Sequence, residues 1–353
     1  MTGNQRWKQR PPGSTWGDFG SDDQCGRMNL LTPQKVRQGI AEAREGLTFC
    51  LSLPLDYPGG NALNPRRMPP VLRPTLRNGK PNLNYQLWCD NPDCTDVISD
   101  DLVVMHLQYS TQWDGLGHVG QMFDANGDGV PEAVYYNGYR AGIDVVGPAD
   151  GADCGIFDFA RIPQRSTSGA KALGIENMAE RCVQGRAVMI DLHRHFGRER
   201  KLVGYDALMQ VIEADGVEVE NGDMVCLHTG FAQMLLEMKR TPDAHALENS
   251  CAVLDGRDPR LLQWVTDSGL VALIADNYAV EAHPPASQPP RCANLPLHEH
   301  CLFKLGVHLG EIWHLTPLAD WLHAHNRFRF LLTAPPLRLP GAIGSPATPI
   351  ATV

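Results

Sequence analysis

Two stretches of the chain carry side chains of the kind that move protons or hold cations. The first runs His106-Leu-Gln108-Tyr-Ser110-Thr-Gln112-Trp-Asp114-Gly-Leu-Gly-His118. Read as an extended strand, it places Gln108, Ser110, Gln112 and Asp114 on one face and Tyr109, Thr111 and Trp113 on the other. A line of polar groups ending in a carboxylate is costly to bury, because each group needs a partner inside. Gly115 and Gly117 loosen the backbone and bring His118 round as an acid or base. Satisfied core residues are the plainer reading of Asp114 and His118, but the polar face and the flanking glycines weigh against it.

The second stretch is Leu297-His298-Glu299-His300-Cys301, continuing through Gly306, His308 and Gly310 to Glu311, Trp313 and His314. An exposed helix face would account for any one of these groups. Together with an acidic strand elsewhere, they suggest a metal or acid/base centre. His193 and His195 follow a strand ending at Asp191, and His228 ends another. Strand ends are where α/β sites form, yet a structural role is the simpler reading of these three.

The elements that must position these groups can be read from pattern. Thr32-Pro33 opens a helix, with Thr as N-cap, Val36 and Ile40 on one face and Gly46 beyond its end. Residues 47–55 read as a strand, and most of 56–101, rich in Pro, Asn and Gly, as irregular loop. Residues 1–20 read as an arm over the surface or over a neighbouring subunit. Within 121–135, Asp124, Asn126 and Asp128 resemble the start of a calcium loop, but Tyr135 stands where the bidentate acid belongs. A tight polar turn is the alternative.

From about residue 150 helices and strands alternate. Strands are expected at 187–191, 224–228, 270–275 and 328–332, and helices at 205–214, 258–268 and 316–326. Apolar strands separated by helices imply an α/β fold, a sheet covered by helices, in one domain over 1–353.

Composition excludes some classes. With 353 residues, 43% hydrophobic and 20% charged, the chain can bury a large core. A net charge of -9 with no basic stripe argues against nucleic acid as a partner. The N-terminus lacks the apolar region of a signal peptide, and no apolar run is long enough to span a membrane. Ten cysteines without a repeating interval read as reduced thiols of a cytoplasmic enzyme; the lone pair Cys89 and Cys94 has no second half for a zinc site.

Over nearly its whole length the sequence resembles the metal-dependent cyclase family that includes bacterial kynurenine formamidase and isatin hydrolase. The likeness begins with Trp16-Gly17-Asp18 and Gly26-Arg-Met-Asn29-Leu-Leu-Thr-Pro33. It continues through Ser52-Leu-Pro-Leu55, Gln112-Trp-Asp114-x3-His118, Tyr136-Asn137-Gly138 and Gly185-Arg186-Ala-Val-Met-Ile-Asp191. It closes with Gly222-Asp223, Thr229-Gly230, Ala334-Pro-Pro-Leu337, Leu339-Pro-Gly341 and Gly344-Ser-Pro346.

The resemblance implies a mixed or barrel-like central sheet covered by helices, of the swivelling β/α type, and a homo-dimer or homo-tetramer. It also implies a hydrolase that opens or cleaves an amide, lactam or lactone carbonyl of a small-molecule substrate. The family motif His-x-Gly-Thr-His-x-Asp-x-Pro-x-His falls on Gln108, Ser110, Thr111, Gln112, Asp114, Leu116 and His118. His118 inherits the acid/base role and Asp114 a ligand role, whereas Gln108 and Gln112 inherit only ligand positions. His298 and Glu311 match the family's later ligands, with Glu299 or His300 as alternative registers for the first.

Glutamine in place of two histidines favours a hard ion such as manganese, magnesium or calcium over zinc, or no ion at all. Two alternatives stay open. One is a metal-independent hydrolase using His118 and Asp114, with the glutamine amides as oxyanion donors. The other is a degenerate relative that binds a small molecule without turning it over.

Overall fold

The computed structural model describes residues 6–149, 154–155, 166–285 and 287–353. Helix α1 (Pro33–Ile40) begins where the Thr32 side chain accepts from Lys35 N, with Pro33 supplying a preset φ. The main sheet then collects nine strands: β1 (Thr48–Cys50), β2 (Gln112–Asp114), β3 (Gln184–Asp191), β4 (Met224–His228), β5 (Ala272–Ala275), β6 (His308–Glu311), β7 (Arg329–Thr333), β8 (Gly344–Pro346) and β9 (Ile350–Thr352). Their order in space is β1-β9-β7-β3-β4-β5-β6-β2-β8.

The centre, β3 to β6, is parallel, and every other pairing is antiparallel. Parallel neighbours need crossovers. Helix α2 (Tyr205–Asp215) lies between β3 and β4, α3 (Pro259–Ser268) between β4 and β5, and a helical run over 296–305 between β5 and β6. Helix α4 (Thr316–Ala324) then leads to antiparallel β7. The sheet curls, because Ser52, just past β1, bridges Trp313, just past β6, and His314 N donates to Leu51 O at 2.9 Å. This is an α/β sheet covered by helices, as read from the pattern, and a mixed one, as the resemblance implies.

Alternation along each strand feeds two cores. Val188, Ile190, Val225, Leu227 and Leu273 pack with Leu208 and Val211 of α2 and Leu261 and Val265 of α3. Ala187, Met189, Cys226 and Ile274 face the other side, with Leu318 and Leu322 of α4. Burial on both faces is why these strands read as unbroken apolar runs. Asp258 caps α3, accepting from Arg260 N at 2.8 Å. The buried Arg27 guanidinium closes the other end of that helix on the carbonyls of Val265 and Thr266, at 2.8 and 2.7 Å.

One expectation changes. The polar stretch is not one strand: only Gln112–Asp114 is extended, and Gln108 lies in a turn where Tyr109 N donates to His106 O. An Arg67 guanidinium takes the Gln108 carbonyl, so that carbonyl is unavailable to a ladder. Most of 56–101 is irregular, as expected, with Val71–Pro74 paired to Asp101–Val104 and shorter pairs inside it. The calcium-like segment is a hairpin, Gln121–Phe123 with Glu132–Val134. The described part of the arm packs on its own chain, with Trp7 and Trp16 buried and Trp16 Nε1 donating to Phe303 O at 2.7 Å.

Candidate metal centre and active site

Antiparallel pairing sets Gln112 of β2 opposite Glu311 of β6, and Asp114 opposite Leu309. Residues two apart share a face, so Gln112, Asp114 and Glu311 point together, while Trp113 turns to the far side and stacks edge-on against Trp313 at 4.9 Å. Glu311 ends a parallel strand, the edge at which α/β sheets gather their sites.

His298 reaches the same point from the helical turn Pro296–His298, and Glu281 places it there. One Glu281 oxygen accepts from Leu297 N at 2.9 Å; the other accepts from His298 N at 2.9 Å and meets His298 Nδ1 at 2.8 Å. The Nε2 atom of the same ring lies 3.1 Å from Glu311 Oε1 and 3.8 Å from Asp114 Oδ2. Asp114, His298 and Glu311 thus offer ligand atoms all within 4.8 Å of one another, and among the described residues they form the one such group. All three are buried. Burial alone would push the His298 pKa down, but the bonds to Glu281 and Glu311 outweigh it and raise it to about 10.

His118 stands at the rim, with its side chain 24% exposed and Nε2 4.0 Å from Asp114 Oδ2. That gap is too long for a direct hydrogen bond. The Gln108 amide bridges the two residues, with Nε2 donating to Asp114 Oδ1 and lying 3.3 Å from His118 Nδ1. The Gln108 amide nitrogen and the Asp114 carboxylate thus flank opposite nitrogens of the ring. Gly344 pairs with Asp114 on β8, and a Cβ there would fall 2.7 Å from the Gln108 side chain. Only glycine leaves Gln108 that position.

The donor set suits a divalent cation: two carboxylates and an imidazole converge, which matches manganese, magnesium or zinc chemistry. Gln112 points into the same group. Its Nε2 is 3.3 Å from Asp114 Oδ1 and 3.1 Å from Glu311 Oε2, while its buried Oε1 has no partner.

Other sequence candidates fall elsewhere. Glu299 and His300 follow His298 in a π-helix, Glu299–Leu305. His300 Nε2 meets Thr266 Oγ1 at 2.9 Å, and burial lowers its pKa to about 4. Ser110 turns to Pro54 O at 3.5 Å, away from Asp114. Tyr109 donates to Gly60 O at 2.9 Å, and Tyr136 is core. His195 meets Asp215 at 3.0 Å, and His228 is held between Asp191 and Thr316 at 2.8 and 2.9 Å. His193 lies beside His228, ring centroids 5.3 Å apart. In the calcium-like loop, Asp124 accepts from the amides of Gly127, Asp128 and Gly129, Asn126 from Asp128 N and Asp128 from Val130 N. Those oxygens serve the turn's own backbone.

Glu281 was not legible as a site residue. No motif surrounds it, and its carboxylate fits because Gly256 has no Cβ, which would sit 2.0 Å from Glu281 Oε2. The backbone is left-handed at Val280 (φ 56°), just before this acid, and at Ile312 (φ 57°), just after Glu311. Branched residues rarely hold that conformation, and such strain gathers at functional sites.

The family model named Cyclase matches residues 51–282, more than half of the chain. A crystal structure described as a novel cyclase is 27% identical with a TM-score of 0.70, covering 98% of this chain and 100% of that one. Isatin hydrolase A from Labrenzia aggregata, bound to benzyl benzoate, is 11% identical with a TM-score of 0.55, covering 89% of this chain and 97% of its own. Isatin hydrolase A from Ralstonia solanacearum is 14% identical with a TM-score of 0.53, covering 91% and 97%. At those identities the isatin hydrolases share the fold. No curated protein matches the chain. On the extent of the family match, supported by the fold, the chain belongs to the cyclase family.

Proposed function

We propose that this protein is a hydrolase that opens or cleaves an amide, lactam or lactone carbonyl, with His118 as acid/base and a divalent cation at Asp114, His298 and Glu311. The convergence of those three buried side chains beside a partly exposed histidine carries the reading. Isatin hydrolases of the same fold make a small cyclic or linear amide the first substrate class to test, with a formamide of the arylformamidase type beside it.

The cation, when bound, supplies positive charge that polarises a carbonyl oxygen and makes water easier to deprotonate near neutral pH. His118 moves a proton at Nε2 between the attacking water and the leaving nitrogen or oxygen, a role typically worth about 10²–10⁴-fold. Gln108 holds the His118 ring in place, its amide nitrogen 3.3 Å from Nδ1. Glu281 fixes the His298 ring so that Nε2 faces the carboxylates. Since Asp114, His298 and Glu311 are buried, a substrate reaches them past His118. A cavity of about 610 Å³ borders Val119 and Gly120, next to His118, and Leu295 and Glu299, which flank the His298 turn. Its walls also include Met122 and Pro131, which suits a substrate with an apolar body.

The test is hydrolysis of N-formylkynurenine, isatin and simple lactones, with and without chelator. Turnover of one class, abolished by chelator and restored by Mn²⁺, supports the proposal. Turnover indifferent to chelator would favour a metal-independent reaction, and an inert protein across the panel would favour a binding role.

A further inference from the structure

We infer that a second cavity, whose walls include none of the cation-centre residues, binds a small organic anion: an apolar body with a carboxylate held by Arg200. The cavity measures about 560 Å³ and shares no wall residue with the one beside His118. Small ligands occupy cavities of about 300–1,000 Å³. Its walls come from the helices Phe231–Glu237 and Ala244–Asn249, the strand Ala252–Leu254 and the segment 277–284. Nothing about it depends on the reaction at His118.

The apolar part of the wall is fixed before anything binds. Phe231, Leu247 and Val253 are buried, and Leu63 and Tyr278 pack against the core cluster that holds the first two. The Tyr278 hydroxyl accepts from Asn64 Nδ2 at 3.1 Å, and Asn277 Nδ2 donates to Ala252 O at 3.0 Å. The His283 ring stands edge-on to Tyr278, centroids 6.4 Å apart, which leaves a corner suited to a flat group.

The charge comes from Arg200. Two residues earlier, both terminal nitrogens of Arg198 donate to the Glu237 carboxylate, at 2.5 and 2.7 Å. Arg200 reaches only Ser250 O, at 3.5 Å. Burial pulls its pKa below the usual value, and no carboxylate offsets that. A guanidinium partly drawn out of water without an acid beside it is suited to receive one from a ligand, through two parallel N–H donors. Glu248, the negative charge in the wall, is exposed to water and forms no ion pair with Arg200.

Calorimetric titration with 3-phenylpropionate, its neutral amide and the phenethylammonium ion tests this, using metal-free protein so that no cation at Asp114 captures the carboxylate. The proteins compared are the wild type, Arg200→Met, Ala62→Trp and Glu248→Gln, each with a melting curve. The wild type should bind the carboxylate at least about 10-fold more tightly than the amide, the worth of hydrogen bonds to a charged group. Arg200→Met should erase that preference. Ala62→Trp, which sets an indole into the cavity from an exposed wall position, should abolish binding with Arg200 intact. Glu248→Gln should bind the carboxylate as tightly as wild type or more so. No binding by the wild type at millimolar concentration, equal affinity in wild type and Arg200→Met, or a preference for the phenethylammonium ion overturns the site. Weaker binding by Glu248→Gln counts against an anion in the same way. If Arg200→Met does not fold, undiminished binding by Ala62→Trp overturns the site instead.

Discussion

Glu281 Oε1 lies 2.8 Å from His298 Nδ1 and 2.9 Å from the His298 backbone nitrogen, so one carboxylate fixes both the ring and the turn that carries it. A carboxylate behind a histidine sets its tautomer and raises its basicity as a ligand. Glu281→Gln should keep the shape and weaken divalent-cation binding by about 10–100-fold, as measured by Mn²⁺ titration of the folded variant. Unchanged affinity would mean that the ring needs no such support.

His298 also ties the site to pH. Burial lowers its pKa, the contacts with Glu281 and Glu311 raise it, and the balance is about 10 against an ordinary 6.5. Between those values the native state binds more protons than the unfolded chain, so metal-free protein should lose stability as pH rises from about 6.5 toward 10. Melting curves across that range check the sign. A cation taking Nε2 must displace the proton there, so proton release on Mn²⁺ binding, read by calorimetry in buffers of different ionisation enthalpy, should accompany it.

Acid should destabilise the protein through two other histidines. Burial holds His308 down at about 3 and His300 at about 4. Below 6.5 the unfolded chain binds protons that these rings refuse, so stability should fall as pH drops from 6.5 toward 4. His308→Leu should flatten that slope in a pH series of melting temperatures, and an unchanged slope would count against the buried neutral ring.

How much of this was legible depends on how local the cause is. Thr32-Pro33 and Asp258-Pro259 mark helix starts by capping chemistry, and both helices begin there. The run Met224-Val-Cys-Leu-His228 is a strand to the residue, since burial on both faces leaves an unbroken apolar run. The turn at Gln108 was not legible, because a guanidinium from residue 67 draws its carbonyl out of the ladder. The pairing of Gln112 with Glu311 joins segments 199 residues apart, and Glu281 reaches His298 across 17. Proximity of Glu311 and His298 to Asp114 came from the family likeness, and Glu281, outside the motif, was missed.

His118 should be needed for chemistry and not for folding, because its side chain is partly exposed and lies against Gln108, Asp114 and the His298 ring. His118→Ala should lower turnover by about 10²–10⁴-fold, with Mn²⁺ affinity and melting temperature close to wild type. A matching loss of metal affinity would instead make His118 part of the cation centre.

The most direct measurement is anomalous scattering from crystals of the protein grown with Mn²⁺, collected on both sides of the manganese absorption edge. A single strong peak in contact with Asp114 Oδ2, His298 Nε2 and Glu311 Oε1 is the expected result. Density at that point with no anomalous signal, or a manganese peak only at surface acids, would contradict a cation-assisted hydrolase.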